Sequence, residues 1–306
     1  MTAPRSDRAP TGAAPTGASL DDRGVTDQAL TGQVLADADA VARLLEGTAP
    51  LGVAYSGGVD SAVLLALAVR ALGRDGVVAL MGVSPSLAAD ERAEAHGVAA
   101  HIGATLLEFP TFEGDNPAYR ANGVDRCLRC KDELFTRISA DVAAEHALAT
   151  VAYGENADDA LRPDRPGAQA ATNHAVRRPL AEAGLTKARV RAIARALALP
   201  CADKPAAPCL ASRIPHGEEV TPEKLTQVEA GERALRSLGF SDSRVRHHGD
   251  IARLEVPATE IGRFADDAVR REALRALRAA GFRHVAVDLA GIKSGAFTLE
   301  VLARRA

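Results

Sequence analysis

The segment Leu51-Gly52-Val53-Ala54-Tyr55, followed at once by Ser56-Gly57-Gly58-Val59-Asp60-Ser61, constrains this chain more than any other part of it. A short apolar strand runs straight into two adjacent glycines, and Ser61 to Leu72 then reads as a helix. Such a turn lets backbone N–H groups approach an anion at the amino end of a helix, where the helix dipole adds positive potential. In an open α/β sheet, ligands bind at that end of the strands. Ser56 and Ser61 add hydroxyl donors. The Asp60 carboxylate would repel a bare phosphate, so it fits a Mg²⁺ ion that is itself bound to phosphate. The spelling is neither Gly-x-x-x-x-Gly-Lys-Ser/Thr nor Gly-x-Gly-x-x-Gly.

Around this segment the chain alternates strand and helix. An amphipathic helix is predicted over Gln33 to Leu45, and strands over Val77 to Val83, Thr105 to Phe109 and Thr150 to Tyr153. Helices over Ala88 to Ile102 and Lys131 to Ala147 separate them, which implies an α/β fold with a parallel sheet flanked by helices. After Gly154 comes a long loop, then a helix from Thr186 to Leu199, then a non-periodic stretch from Pro200 to Gly217 holding Lys204 and two cysteines. Beyond it the sequence predicts a smaller C-terminal α+β unit: a helix opened by Thr221-Pro222, strands over Arg244 to His247, Ala252 to Val256 and His284 to Asp288, and a helix over Asp267 to Ala280. The expected division is a disordered tail over 1–28, a nucleotide domain over 29–217 and a substrate-binding or oligomerisation domain over 218–306.

Charge and apolar patterning narrow the function. The 37 basic and 40 acidic residues give a net charge of −3, which removes the electrostatic argument for a nucleic-acid or anionic-membrane partner. A small-molecule partner is favoured. No apolar run reaches the roughly 18 to 20 residues of a membrane helix, and the amino terminus has no signal-peptide core. The expectation is a cytoplasmic protein, where four cysteines are not structural disulfides. Only five of the 37 basic residues are lysine.

With its position between strand and helix, Ser56-Gly57-Gly58-Val59-Asp60-Ser61 resembles the pyrophosphate loop of the ATP pyrophosphatases, the superfamily of GMP, NAD and asparagine synthetases and thiouridine synthases. The resemblance implies cleavage of ATP between its α and β phosphates and adenylation of an acceptor oxygen. It also implies that Val83-Ser84-Pro85 lies near the adenosine and that Gly154-Glu155-Asn156-Ala157-Asp158-Asp159 borders the nucleotide. Adenylation only creates a leaving group, so the nucleophile that follows decides the function. Cys209 is the candidate, in an irregular loop with Lys204 and Arg213 close in sequence, and cationic neighbours favour a reactive thiolate.

A second resemblance is more specific. Arg126-Cys127-x-x-Cys130-Lys131, Asp164-Arg165-Pro166-Gly167, Arg178-Pro179-Leu180 and Lys204-Pro205-x-x-Pro208-Cys209-Leu210-Ala211-Ser212-Arg213 resemble the LarE family of ATP-dependent sulfur transferases of nickel-pincer cofactor biosynthesis. The resemblance implies adenylation of pyridinium-3,5-biscarboxylic acid mononucleotide and attack by Cys209 on the acyl-adenylate. It places Ser212 and Arg213 in the substrate site, and Glu232 and Glu255 near the metal or substrate. Arg244 and Arg246, two apart on one strand face, suit a phosphate clamp. A homo-oligomer up to a hexamer, an upstream carboxylase and a downstream nickel insertase follow from the same resemblance. The segment Gly291 to Phe297 departs from the family's usual glycine loop.

Two sulfur routes stay open. Cys209 can be the donor, leaving dehydroalanine behind, or Cys127, Cys130 and Cys209 can hold a [4Fe-4S] cluster that carries an extra sulfide. Cys201 reads as a core thiol or a fourth ligand. Outside sulfur transfer, the alternatives are an amide ligase of the NAD synthetase kind, a tRNA thiolase, which the net charge disfavours, and a nucleotide-sensing module without turnover.

Overall fold

A computed structural model describes residues 30–161 and 167–292. The expected tail at 1–28, the Asp164-Arg165-Pro166 run and residues 293–297 of the glycine segment lie outside the described residues.

Strands β1 (Leu51–Ala54), β2 (Val77–Val83), β3 (Thr105–Pro110) and β4 (Thr150–Tyr153) form one parallel sheet in the order β3-β2-β1-β4. Leu51 aligns with Val77 on one side and Thr150 on the other, and Ala54 with Leu80 and Tyr153. The chain runs outward through β2 and β3 and then crosses back to place β4 on the far side of β1. The glycine loop therefore leaves β1 where the strand order reverses, the crevice position of an open α/β sheet.

All four residues of β1 are buried because helices cover both faces. One face meets helices Gly32–Leu45, Val59–Leu72, Ala89–Ile102 and Lys187–Ala196 through Val41, Leu45, Leu64, Leu67, Ile102 and Ile193. Ala38, Ala62, Ala68 and Ala194, wholly buried in this layer, spend part of the alanine-rich composition on close helix packing. Helix Val59–Leu72 is buried from Ser61 to Val69 without a break, which is why its sequence is apolar on every side. Cys201 belongs to this core. The opposite face packs on Phe135, Ile138 and Val142.

A second sheet holds β5 (Arg244–His248), β6 (Ile251–Glu255) and β7 (His284–Val287), with β5 antiparallel and β7 parallel to β6. Its core joins Leu235, Val245, Leu254, Leu277 and Phe282, drawn from the sheet, from helices Pro222–Ser237 and Asp267–Ala279 and from the turn before β7. A further cluster of Tyr119, Leu210, Ala211, Ile214, Val220, Leu225 and Val228 carries the chain from the first sheet's loops to the second sheet's helix.

Two sequence expectations change. The stretch after Gly154 contains three short helices, Ala157–Ala160, Gly167–Asn173 and Pro179–Glu182. The helix expected from Lys131 begins at Arg126, so Cys127 and Cys130 lie within it rather than before it. Its first turn carries arginines and cysteines instead of an apolar stripe, and Arg126 is nonetheless buried.

Two glycines set the loop. Gly57 has φ +73°, and a Cβ there would stand 2.5 Å from Cβ of Ala95. At Gly154 a Cβ would stand 2.6 Å from the Ser61 amide nitrogen, so the end of β4 lies directly on the first turn of helix Val59–Leu72. Gly154→Ala must push that turn away from β4 and is expected to cost about 1–3 kcal/mol in urea unfolding, as overpacking does. Full wild-type stability would contradict the contact.

Candidate active site

The nucleotide loop is built mostly by its own hydroxyls and amides. Ser61 Oγ donates to the Gly58 carbonyl at 3.0 Å and accepts the Ser56 N–H at 3.3 Å. Gly58, Val59 and Asp60 then open the helix with their N–H groups at its amino end. The Asp60 carboxylate is held from two other parts of the chain. The Asn156 amide donates to its Oδ1 at 3.2 Å, and the Lys187 ammonium pairs with its Oδ2. Asn156 in turn caps helix Ala157–Ala160 by accepting the Asp159 N–H at 3.0 Å. Asp158 accepts the Lys187 N–H at 2.8 Å. Segments at 56–61, 154–159 and 187 thus meet at one point. Sequence reasoning found the first two and missed Lys187, whose only signal was its rarity.

Next to the loop, at the end of β2, Ser84 donates to Glu113 at 2.5 Å, and the hydroxyls of Ser86 and Tyr119 lie 2.6 Å apart. Glu113 is buried, its Oε2 has no hydrogen-bond partner, and sequence reasoning did not single it out. The Leu210 N–H donates to the Ser86 carbonyl at 2.9 Å, which docks the Cys209 loop onto the end of this strand.

Cys209 is exposed at the head of a short 3-10 turn, Leu210–Arg213. Arg213 fixes that turn. Its Nε and Nη2 donate to the two oxygens of Glu232 at 2.7 and 3.0 Å, and its Nη1 donates to the carbonyls of Pro208 and Cys209 at 2.5 and 3.2 Å and to Ser212 Oγ at 2.9 Å. Glu232 Oε1 also accepts the Val245 N–H at 3.0 Å. Arg246 donates to the Ser212 carbonyl at 3.0 Å and to Glu255 at 2.7 Å, and Arg244 pairs with Asp242 and reaches the Ala206 carbonyl at 3.4 Å. Both clamp arginines therefore border the Cys209 loop, each already carrying a carboxylate. Glu232 and Glu255, expected near metal or substrate, are buried counter-ions of Arg213 and Arg246. Lys204, expected beside the thiol, bridges Glu91 and Glu94 of helix Ala89–Ile102.

The cation next to the cysteines is Arg126. It is buried, and its Nη1 donates to Asn122 Oδ1 at 2.6 Å and to the Ala211 carbonyl at 2.8 Å. Burial works against its charge, and the nearby sulfurs of Cys209 and Cys127 hold it above the ordinary arginine value. Burial pushes the Cys130 thiol well above the ordinary thiol range, with Glu113, Cys209 and Cys127 adding to the effect. All three cysteines thus lie within electrostatic reach of this guanidinium. Among the described residues no three His, Cys, Asp or Glu side chains are grouped so that they could hold a metal ion. No helix among the described residues is long and apolar enough to cross a membrane.

The sheet order, the loop at its reversal and the acceptor loop beside it define an enzyme of the ATP pyrophosphatase class. The asparagine synthase family model matches residues 35–152. The pyridinium-3,5-bisthiocarboxylic acid mononucleotide synthase of Lactiplantibacillus plantarum is 37% identical over 245 residues, 79% of this chain and 87% of that protein. An uncharacterized protein of Synechocystis sp. is 43% identical over 243 residues, 79% of this chain and 90% of the relative. Another, from Methanocaldococcus jannaschii, is 27% identical over 168 residues, 55% of this chain and 64% of the relative. The chain belongs to the LarE family of ATP-dependent sulfur transferases.

Removing one partner of a buried ion pair strands the other charge. Glu232→Ala is expected to lose about 3–5 kcal/mol in urea unfolding and to open the 205–215 loop to limited proteolysis. Unchanged stability with an uncut loop would contradict the anchoring role.

Proposed function

We propose that this chain uses ATP to adenylate both carboxylates of pyridinium-3,5-biscarboxylic acid mononucleotide in turn and converts each to a thiocarboxylate, with Cys209 as the sulfur donor. The observation that carries this reading is the exposed Cys209 on a loop pinned to the end of β2 by Leu210 and to the second sheet by Arg213. A ligase that amidates its acceptor needs no thiol there.

The glycine loop binds the β and γ phosphates through the N–H groups of Gly57, Gly58 and Val59, with Ser56 and Ser61 shaping the turn. Asp60, one carboxylate at the mouth of the loop, suits a Mg²⁺ ion shared with the phosphates, which would neutralise charge on the leaving pyrophosphate. Ser84, after β2, and Gly154 with Asn156, after β4, border the nucleotide. A substrate carboxylate oxygen attacks the α phosphorus and pyrophosphate leaves. The Cys209 sulfur then attacks the acyl carbon and AMP leaves, giving a thioester. Loss of the Cys209 α-proton with cleavage of its Cβ–S bond releases the thiocarboxylate and leaves dehydroalanine. Ser212 and Arg213 hold the cysteine in place through both steps, and Arg244 and Arg246 sit on the side of the loop where the mononucleotide phosphate would be gripped. No step is assigned to a cluster on Cys127, Cys130 and Cys209.

The reading includes a second unit beginning near residue 218, a homo-oligomer up to a hexamer, a cytoplasmic setting, and an upstream carboxylase and a downstream nickel insertase as pathway partners. A net charge of −3 suits a small nucleotide better than RNA.

Cys209→Ala separates the half-reactions. Exchange of labelled pyrophosphate into ATP, dependent on the dicarboxylate, is expected to persist, while thiocarboxylate formation falls below detection. Product formation by this variant would overturn the assignment of the donor.

A further inference from the structure

We propose that Lys204 is a positioning residue for sulfur transfer: by bridging Glu91 and Glu94 it ties the loop that carries Cys209 to helix Ala89–Ile102, which walls the glycine loop, and so sets how far the sulfur stands from the nucleotide. The inference rests on the sulfur-transfer reading above and adds a residue to it.

Pro205 to Cys209 are exposed without a break, so packing does little to hold this stretch. Its place is set at the two ends. Leu210 on Ser86 and Arg213 on Glu232 fix the far end. At the near end the chain leaves the core at Ala202, and Arg191 of helix Lys187–Ala196 donates to the carbonyls of Ala202 and Lys204 at 2.8 and 2.9 Å. The Lys204 ammonium then lies 2.6 Å from an oxygen of Glu91 and 2.6 Å from an oxygen of Glu94. Burial works against its charge, and the two glutamates hold it above the ordinary lysine value. That charge is spent on carboxylates rather than on the thiol. Pro205 and Pro208 have fixed φ angles, so a shift at Lys204 is carried along the stretch to Cys209.

Glu91 and Glu94 share one face of a helix that is itself held on two sides. Ala95, the next residue, lies against the glycine loop: a Cβ on Gly57 would stand 2.5 Å from its Cβ, and its carbonyl accepts the Tyr55 hydroxyl at 2.9 Å. At the amino end Ala88 supplies no side-chain cap, and Glu229 of helix Pro222–Ser237 accepts the Ala89 N–H at 2.7 Å instead. Arg236 of that helix pairs with Asp90 at 3.0 Å. One helix thus touches the glycine loop, the second sheet's helix and, through Lys204, the start of the Cys209 loop. The spacing between nucleotide and sulfur is carried by this helix, and Lys204 is the link that passes it to the loop.

Measuring the two half-reactions apart, in the full chain, tests this. Lys204→Met is expected to keep dicarboxylate-dependent exchange of labelled pyrophosphate into ATP, and its KM for ATP, within about 2-fold of wild type, and to slow single-turnover thiocarboxylate formation about 10- to 100-fold, as misplacing a reacting group does. Lys204→Arg recovers most of that rate. Glu91→Gln with Glu94→Gln is expected to give the same loss, and adding Lys204→Met to that pair no further loss. Equal loss in both half-reactions, or full transfer by Lys204→Met, would overturn the proposal. A second measurement needs no substrate. Cleavage of the native protein by elastase after Ala206 or Ala207 is expected to be about 3- to 10-fold faster in Lys204→Met, as loss of two part-buried ion pairs allows, and close to wild type in Lys204→Arg. An unchanged cleavage rate in Lys204→Met contradicts the role of Lys204. A wild type without pyrophosphate exchange would sink the ATP reading, while the cleavage comparison would still decide whether Lys204 holds the loop.

Discussion

The position of the proposed sulfur donor depends on a buried ion pair between Arg213 and Glu232. Burying two charges is expensive, and a well-packed apolar pair of the same volume would serve stability equally well. What an apolar pair could not do is hold a loop by direction. The guanidinium spends two nitrogens on Glu232 and the third on the carbonyls of Pro208 and Cys209 and the hydroxyl of Ser212, so the turn that carries Cys209 follows helix Pro222–Ser237. Because Glu232 also accepts the Val245 N–H, that helix is locked to β5. Arg246 repeats the arrangement one layer on, with Glu255 beneath it and the Ser212 carbonyl above. The second sheet acts as a jig for a short stretch of irregular chain whose other end rests on Ser86.

The nucleotide side follows the same logic with exposed charges in place of buried ones. Gly154 lets the end of β4 lie on the first turn of helix Val59–Leu72, and this contact brings Asn156, Asp158 and Lys187 around Asp60. The loop is therefore not a property of its six residues alone. Three segments far apart in sequence set its charge balance, and the carboxylate that seems out of place beside a phosphate is neutral in sum with its partner. At the base of the Cys209 turn Arg126 donates to the Ala211 carbonyl, a buried cation within electrostatic reach of Cys127, Cys130 and Cys209.

The sheet was legible from sequence because short apolar strands alternate with helices and each strand ends in a turn, and the glycine loop was legible because its chemistry is contiguous. Contacts between distant segments were not. Lys204 stands five positions from Cys209, yet the structure spends it on Glu91 and Glu94; Arg126 stands 83 positions away and reaches the same loop. Lys187 was invisible for the same reason. Glu232 and Glu255 were singled out, but only three-dimensional pairing shows that each serves an arginine. The first turn of helix Arg126–Arg137 was missed because its buried residue is an arginine and Leu128 is its one aliphatic side chain packed on the core, too little for an apolar period.

The central claim, that Cys209 itself gives up its sulfur, is tested most directly by the intact mass of the protein before and after turnover with ATP and the dicarboxylate. A loss of about 34 Da, one H₂S, mapped to the peptide containing Cys209 is the predicted result. Product formed from several equivalents of substrate per chain, with the mass unchanged, would contradict it.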